Sequence, residues 1–249
     1  MRILLIVLSM MTLPLHAQTL TIGVEDHDYW PYYTYKNFEY QGIARELLDK
    51  FAETKDYTFK YQALPVKRLF RDFLTDRVDF KFPDNVHWDG TLKKQKLKNK
   101  KQITYSDPVL RFIDGVMVLP ENKGKNIDKF KKLGTILGFT PWAWLDILKT
   151  NKVRKIETPK YSNLISMALS KRIDGIYANI VVGSYQLEQI DKAGELVFDS
   201  TLPHSDNYYF LSSINYPQVI QEFNQFMRDN TELVNSLKNK YKVEEGLPK

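Results

Sequence analysis

The chain has 249 residues and a formal net charge of +6, and it contains no cysteine. The lack of cysteine excludes thiol nucleophiles, disulfides, cysteine metal sites and a lipid-anchored cysteine after a signal sequence. The excess lysine lies in two clusters, 93–101 and 123–132. Neither cluster contains arginine, and Phe130 is the one aromatic residue within them, so we expect solvated faces rather than a nucleic-acid interface.

The N-terminal segment has the layout of a secretory signal. Arg2 precedes an apolar run over residues 3–13 that is too short to span a membrane, and Ala17 supplies a small residue before a predicted cleavage site. A buried first strand is the alternative interpretation, and the lack of turn residues disfavours it. We therefore expect residues 1–17 to be a signal peptide and the mature protein to be soluble and periplasmic.

Apolar periodicity predicts a β-α-β unit at the start of the mature chain, followed by a second helix and strand. The predicted elements are strand 20–24, helix 42–54, strand 57–61, a helix that opens at 64–65 and ends near 76, and strand 78–82. The turn residues 83–85 are expected to stop this last strand.

The rest of the chain predicts a second β-α series between two crossing strands. The predicted elements are crossing strand 107–119, strand 132–137, helix 142–150, strand 173–178, helix 181–190, a returning strand 194–200, and two helices within 218–241. Thr140 is a good N-cap for the helix at 142, and Pro141 suits its first position.

One short motif occurs twice. Leu74-Thr75-Asp76-Arg77-Val78-Asp79 is followed later by Leu169-Ser170-Lys171-Arg172-Ile173-Asp174. In both copies a helix with apolar periodicity passes through a polar turn into a strand that carries an aspartate. The spacing is too long for a solenoid repeat and suits two compact lobes built alike, with a ligand site in the cleft between them.

The order of motifs resembles that of extracellular solute-binding proteins of the amino-acid type, which have the type II periplasmic binding protein fold. The matching segments are Ile22-Gly23-Val24, Asp26 with Tyr29-Trp30-Pro31-Tyr32, Gln41-Gly42-Ile43-Ala44, Leu74 to Asp79, Ser106-Asp107-Pro108, Leu133-Gly134, Arg172-Ile173-Asp174 and the closing helices. The resemblance covers nearly all of the mature chain.

This resemblance implies an α/β fold with two similar lobes, each a mixed sheet flanked by helices, joined by two crossing hinge strands. Lobe 1 would comprise residues 18–109 and 200–249, and lobe 2 residues 110–199. The hinges would lie near 109–114 and 198–202.

The resemblance also implies a function. Such a protein would be a monomeric, non-catalytic receptor that closes on a small polar solute and delivers it to a membrane transporter of the ABC type. It would need no cofactor or metal and would not bind nucleic acid.

Carried over by position, Tyr29 would stack on the ligand, and Asp26 would line the same side of the cleft. Thr140 and the amides at Trp142 would face the ligand from the other lobe, where a helix N-terminus favours an anion. The further ligand-binding candidates are Trp30, Arg68, Asp84, Asn85, Trp88, Tyr177 and Asn179.

Two residues that amino-acid binders use are missing. The position of the arginine that grips the α-carboxylate is near Asn99, and Asn179 stands where an aspartate would pair with the α-ammonium. Lysine lacks the planar two-donor geometry of arginine, and asparagine cannot neutralise an ammonium. An ordinary α-amino acid is therefore not the expected ligand, unless Arg68 replaces the missing arginine.

Two other functions fit the same scaffold. Some relatives are dehydratases, for which Asp26, Asp84 and His87 are the candidate proton-transfer groups. The protein could instead present its ligand-bound state to a membrane sensor. The four histidines lack the close pairing expected of a zinc site.

Overall fold

The computed structural model describes residues 18–88, 93, 102–245 and 247–248. The predicted signal peptide and Asn99 lie outside these residues, as does the first lysine cluster apart from Lys93. The described strands are β1 Gln18–Glu25, β2 Thr34–Lys36, β3 Glu39–Gln41, β4 Tyr57–Leu64, β5 Phe80–Asp84, β6 Thr104–Tyr105, β7 Leu110–Val118, β8 Lys132–Ile136, β9 Arg154–Thr158, β10 Gly175–Asn179, β11 Val197–Phe198 and β12 Ser205–Ser213.

Seven α-helices occur in the same part of the chain. They are α1 Ile43–Glu53, α2 Val66–Phe73, α3 Leu145–Lys149, α4 Tyr161–Leu169, α5 Ile180–Glu188, α6 Pro217–Asp229 and α7 Thr231–Tyr241. Three 3-10 helices lie at Pro120–Asn122, Ile127–Lys129 and Trp142–Trp144. Within the described ranges, no helix is long and apolar enough to cross a membrane.

The sheet order gives the fold two similar lobes. The order is β4-β1-β5-β12-β7-β10-β8-β9, with β6 added to β12 and β11 added to β7. In the first lobe β4, β1 and β5 are parallel, and in the second lobe β9, β8 and β10 are parallel. Helices α1, α2, α6 and α7 pack on the first lobe, and α4 and α5 pack on the second.

Two antiparallel strands, β7 and β12, cross between the lobes. The first half of β7 pairs with β12, from Leu110 opposite Tyr209 to Asp114 opposite Ser205. The second half of β7 pairs with β10, and the second half of β12 pairs with β5. Each crossing strand therefore belongs to both lobes, and the predicted α/β fold with two crossing strands is confirmed.

The repeated motif forms the same turn in each lobe. Asp76 and Lys171, at equivalent positions, both have a left-handed backbone with φ of 59° and 58°. Asp79 accepts a hydrogen bond from the amide of Thr21 in β1 at 2.7 Å. Asp174 accepts from the amides of Lys131 and Lys132 at the start of β8, each at 2.7 Å. The two aspartates thus bind the backbones of the two central strands, within β1 and at the start of β8, which explains the repetition.

The core around these turns is also repeated. A Cβ added to Gly23 in β1 would lie 2.5 Å from Cδ1 of Leu69 and 3.0 Å from Cγ2 of Val78. A Cβ added to Gly134 in β8 would lie 2.5 Å from Cδ1 of Ile173 and 3.0 Å from Cδ2 of Leu164. Because Gly23 and Gly134 have no side chain, the helix and turn of each lobe pack directly against its central strand.

Three predictions about elements are wrong in detail. The returning strand is β12, whereas residues 194–200 contain only the two-residue β11 on the edge of β7. Strand β5 continues through Pro83 to Asp84, because Pro83 lies at an irregularity in the pairing with β12, where no ladder amide is required. Thr140 makes no side-chain cap, and the segment after it begins as a 3-10 helix.

The described lysines of the two clusters differ in exposure. The lysines within 123–132 are exposed, as expected of a solvated face. Lys93 is buried, contrary to prediction, because its ammonium lies 3.4 Å from Oδ1 of Asp84 and donates to the carbonyl of Asn85 at 2.7 Å. The lobe boundaries at 109/110 and 199/200 stay predictions.

Candidate ligand site

An enclosed cavity of about 30 Å³ lies where the two lobes meet at the crossing strands. From the first lobe and the segment after β5 it is lined by Glu25, Tyr29, Tyr33, Val66, Phe70 and Trp88. From the second lobe it is lined by Gly138, Phe139, Thr140, Tyr177 and Ala178. Asp114 of β7 and Tyr209 of β12 complete the lining. Because both lobes and both crossing strands contribute, relative movement of the lobes would change the shape of this cavity.

Two carboxyl groups line the cavity. Glu25 ends β1, is 3% exposed, and accepts a hydrogen bond from the hydroxyl of Tyr33. Asp114 lies at the centre of β7, where its backbone is opposite both Asn179 of β10 and Ser205 of β12. Its Oδ1 atom is buried without a hydrogen-bond partner among the described residues. The cavity therefore contains one carboxyl that is hydrogen-bonded and one with an unsatisfied oxygen.

Burial and the nearby Glu25 raise the pKa of Asp114 to about 7. Desolvation penalises the charged carboxylate, and the neighbouring carboxylate repels it. Burial likewise raises the pKa values of Tyr29, Tyr33 and Tyr209 well above their usual range. At neutral pH these phenols remain protonated, whereas Asp114 is divided between its neutral and charged forms.

Aromatic rings form most of the remaining lining. Tyr29 stacks on Tyr33 with ring centroids 5.2 Å apart, and the edge of Phe139 meets Tyr29 at 5.6 Å. Tyr209 lies 5.9 Å from Trp88 across the cavity lining. A second face of Tyr209 stacks on Phe112 at 4.3 Å, which fixes the position of the ring. These contacts hold the rings in place for a bound group.

An open groove of about 500 Å³ adjoins the cavity and shares Tyr29 and Val66 with it. Asp26 and His27 line the groove from the first lobe, and Tyr161 and Gln186 line it from the second. Tyr29 and Val66 therefore separate the small inner cavity from a larger outer groove that is also built by both lobes.

Several direct contacts hold the lobes together. The amide of Asn179 donates to the hydroxyl of Tyr29 at 3.3 Å. The side-chain amide of Gln186 donates to the carbonyl of Asp28 at 3.2 Å. His87 stacks on Trp142 with centroids 4.8 Å apart. The lobes are therefore in contact at several points along the cleft, at Tyr29, Gln186 and Trp142.

Four of the predicted ligand-binding residues, namely Tyr29, Trp88, Thr140 and Tyr177, line the inner cavity. Asp26 lines only the outer groove and is exposed. Of the predicted residues, Tyr29 is the one that lines both the inner cavity and the outer groove.

Three other predicted residues are engaged in structural hydrogen bonds. Oδ1 of Asn179 accepts from the amides of Val181 and Val182 at the start of α5, at 2.9 and 3.2 Å, and its Nδ2 donates to the hydroxyl of Tyr209 at 3.1 Å. Asp84 accepts from the Ser212 hydroxyl at 2.7 Å. The side-chain nitrogen of Asn85 donates to the carbonyl of Tyr208 at 3.0 Å. Asn179 supports the cavity from behind Tyr29 and Tyr209.

The last three predicted residues lie away from the inner cavity. The Arg68 side chain is 56% exposed, and its Nε is 3.4 Å from Oδ2 of Asp72 on the same helix. Trp30 packs against Tyr185 and Tyr241. Trp142 is 45% exposed, and its amide donates to the carbonyl of Thr140 at 2.8 Å. The structure does not bring Arg68 to the place where it would replace the missing arginine.

Sequence reasoning missed the two cavity carboxyls, Glu25 and Asp114. A polar residue at the carboxyl end of a parallel strand is one signal for Glu25, because ligands bind at that edge of α/β sheets. For Asp114 the signal is a single charged residue within the apolar run of β7, since aspartate is rarely buried unless it is paired. In the part of the chain that the structure describes, no group of three His, Asp or Glu could hold a metal ion.

No protein-family model matches the chain, and no curated protein matches it. Many solved structures do. A histidine kinase sensor domain with similarity to periplasmic binding proteins superimposes with a TM-score of 0.72 at 16% identity, covering 91% of this chain and 96% of that one. An ABC uptake transporter substrate-binding protein from Streptococcus pneumoniae with bound histidine gives 0.69 at 16% identity, covering 90% and 92%.

A third structure is the ancestral amino acid-binding protein AncCDT-1, a precursor of cyclohexadienyl dehydratase. It superimposes with a TM-score of 0.66 at 17% identity, covering 90% of this chain and 95% of that one. These likenesses extend over nearly the whole of each protein. They show that the chain has the type II periplasmic binding protein fold, as its motif order predicted.

Proposed function

We propose that the protein is an extracytoplasmic solute-binding receptor that closes on a small polar solute and delivers it to a membrane transporter of the ABC type. The observation that carries this proposal is the enclosed aromatic cavity, which both lobes and both crossing strands line. Enclosed pockets with apolar walls and a few polar groups are typical ligand sites. The similarity in fold to a substrate-binding protein of an ABC transporter supports the same class of function.

The proposed solute is not an ordinary α-amino acid. Among the described residues that line the cavity there is neither arginine nor lysine, so no described lining residue would form the two-donor pair with an α-carboxylate. Glu25 and Asp114 would also repel that carboxylate. This lining is a physical reason to expect a solute other than an ordinary α-amino acid.

Ligand entry requires the lobes to separate. The inner cavity of about 30 Å³ accommodates little more than one or two water molecules. A solute of several non-hydrogen atoms therefore enters from the groove when the contacts of Tyr29 with Phe139 and Asn179 open. Bending of β7 and β12 is the movement that this topology favours, as in other hinge-closing receptors.

The decisive experiment is a thermal-shift screen of the purified protein against amino acids, peptides, sugars, polyamines, organic acids, quaternary ammonium compounds and aromatic amines. A solute that binds the folded state raises the melting temperature. At a concentration a hundredfold above Kd, it adds about 2.7 kcal/mol to the free energy of unfolding. A clear shift with any one class supports the receptor. A flat response to every class from folded, ligand-free protein would contradict it.

The same closed state could be presented to a membrane sensor instead of a transporter. The fold similarity to a histidine kinase sensor domain favours this alternative. Reconstitution separates the two functions, because a transporter would accumulate the labelled solute in vesicles only when the receptor is present. A sensor would change its kinase activity without moving the solute.

An enzyme is the second candidate function, and Asp114 is the observation that favours it. A buried carboxyl with a pKa of about 7 beside a second carboxyl is suited to general acid-base catalysis. The earlier candidates do not support this reading, because Asp84 is held by Lys81 and Ser212, and Asp26 is exposed. Mass spectrometry after prolonged incubation of a bound solute with the protein would detect a product if the enzyme reading is correct.

A further inference from the structure

The charged groups among the described residues that line the inner cavity, Glu25 and Asp114, are both acidic. We propose that the solute is a small organic cation without a carboxylate, and that its positive group binds between Glu25 and Asp114 against the surrounding aromatic rings. This inference rests on the proposed receptor function and adds the chemical class of its ligand.

The first argument is the unsatisfied oxygen of Asp114. Oδ1 is buried and has no hydrogen-bond partner in the described part of the chain. An unpaired buried carboxylate is costly unless a cation or a donor accompanies it. Since Asp114 lines the cavity, a cationic group in that space would supply the partner that the surrounding protein does not provide.

Glu25 provides a second negative group on the same cavity. Its carboxyl is nearly fully buried and accepts a hydrogen bond from the hydroxyl of Tyr33, and none of the described residues that line the cavity is a cationic partner for it. The mutual repulsion of Glu25 and Asp114 is one cause of the raised pKa of Asp114. A cation placed between two carboxyl groups removes that repulsion and is attracted by both.

The aromatic lining supplies a third contribution. Seven of the lining residues are aromatic, namely Tyr29, Tyr33, Phe70, Trp88, Phe139, Tyr177 and Tyr209. Ring faces attract alkylammonium and guanidinium groups, and the attraction is larger when the cation is desolvated. The same rings offer apolar contact to the carbon atoms that surround the charge of an organic cation.

The nearby lysines do not neutralise this site. Lys81 is fully buried and its ammonium lies over the rings of Phe70 and Trp88, at 4.4 and 5.1 Å from the centroids. That ammonium is committed to the carbonyl of Pro83 at 2.5 Å and to Asp84 at 3.3 Å. Lys93 shares Asp84, so the positive charges belong to a separate cluster that does not line the cavity.

The test uses cations and uncharged counterparts of the same shape. Choline is compared by titration calorimetry with 3,3-dimethylbutan-1-ol, in which carbon replaces the charged nitrogen. 2-Phenylethylamine is compared with 2-phenylethanol at pH 8, and agmatine with N-pentylurea. We expect at least one cation to bind at least about a hundredfold more tightly than its uncharged counterpart, because two carboxylates and the rings all favour the charge.

Two variants locate the binding site. Asp114→Asn keeps the shape of the side chain and removes its charge, and we expect the affinity for the bound cation to fall at least about tenfold. Glu25→Gln retains an acceptor for Tyr33 and should also weaken binding. Asp128→Asn is the matched control, because Asp128 is exposed on a 3-10 helix and does not line the cavity, and it should bind as the parent protein does. Melting curves establish that each variant is folded.

The outcomes separate this inference from the receptor proposal. Binding of a neutral or anionic solute in the thermal-shift screen, with no binding by any cation, would overturn the cation inference and leave the receptor intact. Equal affinity for a cation and its uncharged counterpart, or unchanged affinity in both folded cavity variants, would also overturn it. A flat response to every solute class would contradict both.

Discussion

Asp114 is the residue on which the proposed ligand chemistry depends most. It lies where β7 passes between the lobes, opposite both β10 and β12, and its carboxyl faces the cavity with one unsatisfied oxygen. The groups around this carboxyl determine how it titrates. They are Glu25 of β1, Tyr29 and Tyr32 of the following loop, Tyr161 of α4, Tyr177 of β10 and Tyr209 of β12.

The pKa of about 7 predicts that cation affinity depends on pH. Below pH 7 the carboxyl of Asp114 is protonated and neutral in the free protein, and a cation must displace that proton. Affinity for choline, which does not titrate, should therefore rise with pH by up to about tenfold per unit below 7 and level off above it. Calorimetry from pH 5.5 to 8.5 measures this. Asp114→Asn should remove the dependence, and a flat profile in the parent protein would contradict the assignment.

Tyr29 is expected to contribute both to the cavity lining and to closure of the lobes. Tyr29→Leu keeps apolar volume but removes the ring that stacks on Tyr33 and the hydroxyl that accepts the Asn179 amide. We expect solute affinity to fall about tenfold, from the loss of one cation-ring contact of 1–2 kcal/mol. Tyr208→Leu is the control, because Tyr208 is 39% exposed and does not line the cavity. Equal affinities of the two variants would argue against a role for Tyr29.

At this scale the sequence predicted part of the site. Tyr29 was expected at the ligand because it follows the first strand, and the cavity does contain it. Asn179 and Asp84 were chosen by position. In the structure, Asn179 accepts a hydrogen bond at the start of α5, and Asp84 pairs with Lys81. Which hydrogen bonds a polar side chain makes depends on residues far away in sequence, so position alone could not decide between binding and structure.

At the scale of elements, the repeated helix-to-strand corner explains why the lobes are alike. In both copies an aspartate ties the turn to the backbone of the central strand, β1 in one lobe and β8 in the other. The repetition was visible in the sequence because the same local structure needs the same residues. Predictions from local patterns were therefore most accurate here.

Asp174→Ala tests the structural role of this corner. The substitution removes the acceptor for the amides of Lys131 and Lys132 and should lower the free energy of unfolding by about 1–2 kcal/mol. Urea denaturation measures the change, and Asp128→Ala serves as an exposed control with an expected change within about 0.5 kcal/mol. Solute affinity should be retained. A stability equal to that of the control would show that the corner does not depend on this aspartate.

Strand β12 shows where local patterns fail. Its first half alternates between partly buried and exposed residues, while its second half is mostly buried, because it passes from one lobe to the other. No single periodicity describes such a strand. The apolar residues 196–198 gave a stronger local signal, although they form only a short edge strand on β7.

At the scale of the whole molecule, the fold places an acidic aromatic cavity at the only point where both lobes and both crossing strands converge within the described residues. The sequence predicted the two-lobed fold, because the order of motifs is a property of the chain. It did not predict the composition of the cavity, which depends on how the lobes meet.

Gly138 allows the close approach of the lobes. Its backbone is left-handed with φ of 92°, and a Cβ added there would lie 3.3 Å from Cβ of Val66 in the opposite lobe. Gly138→Ala should lower solute affinity about threefold to tenfold by obstructing closure, besides a backbone cost of about 1 kcal/mol. Gly124→Ala is matched, since φ is 74° and nothing lies within 4 Å. Calorimetry of both variants should show reduced affinity only for Gly138→Ala, and equal affinities would contradict this role.

Closure of the two lobes around a solute is the central claim, and a distance measurement across the cleft tests it most directly. The chain has no cysteine, so spin labels can be attached at Lys60→Cys and Arg154→Cys, both exposed, on the edge strands β4 and β9 of opposite lobes. Pulsed electron resonance then gives the distance distribution without solute and with a saturating solute from the thermal-shift screen. We predict a broad distribution that narrows to one shorter distance when the solute binds. The same distribution in both states, with binding verified by calorimetry on the labelled protein, would contradict the account.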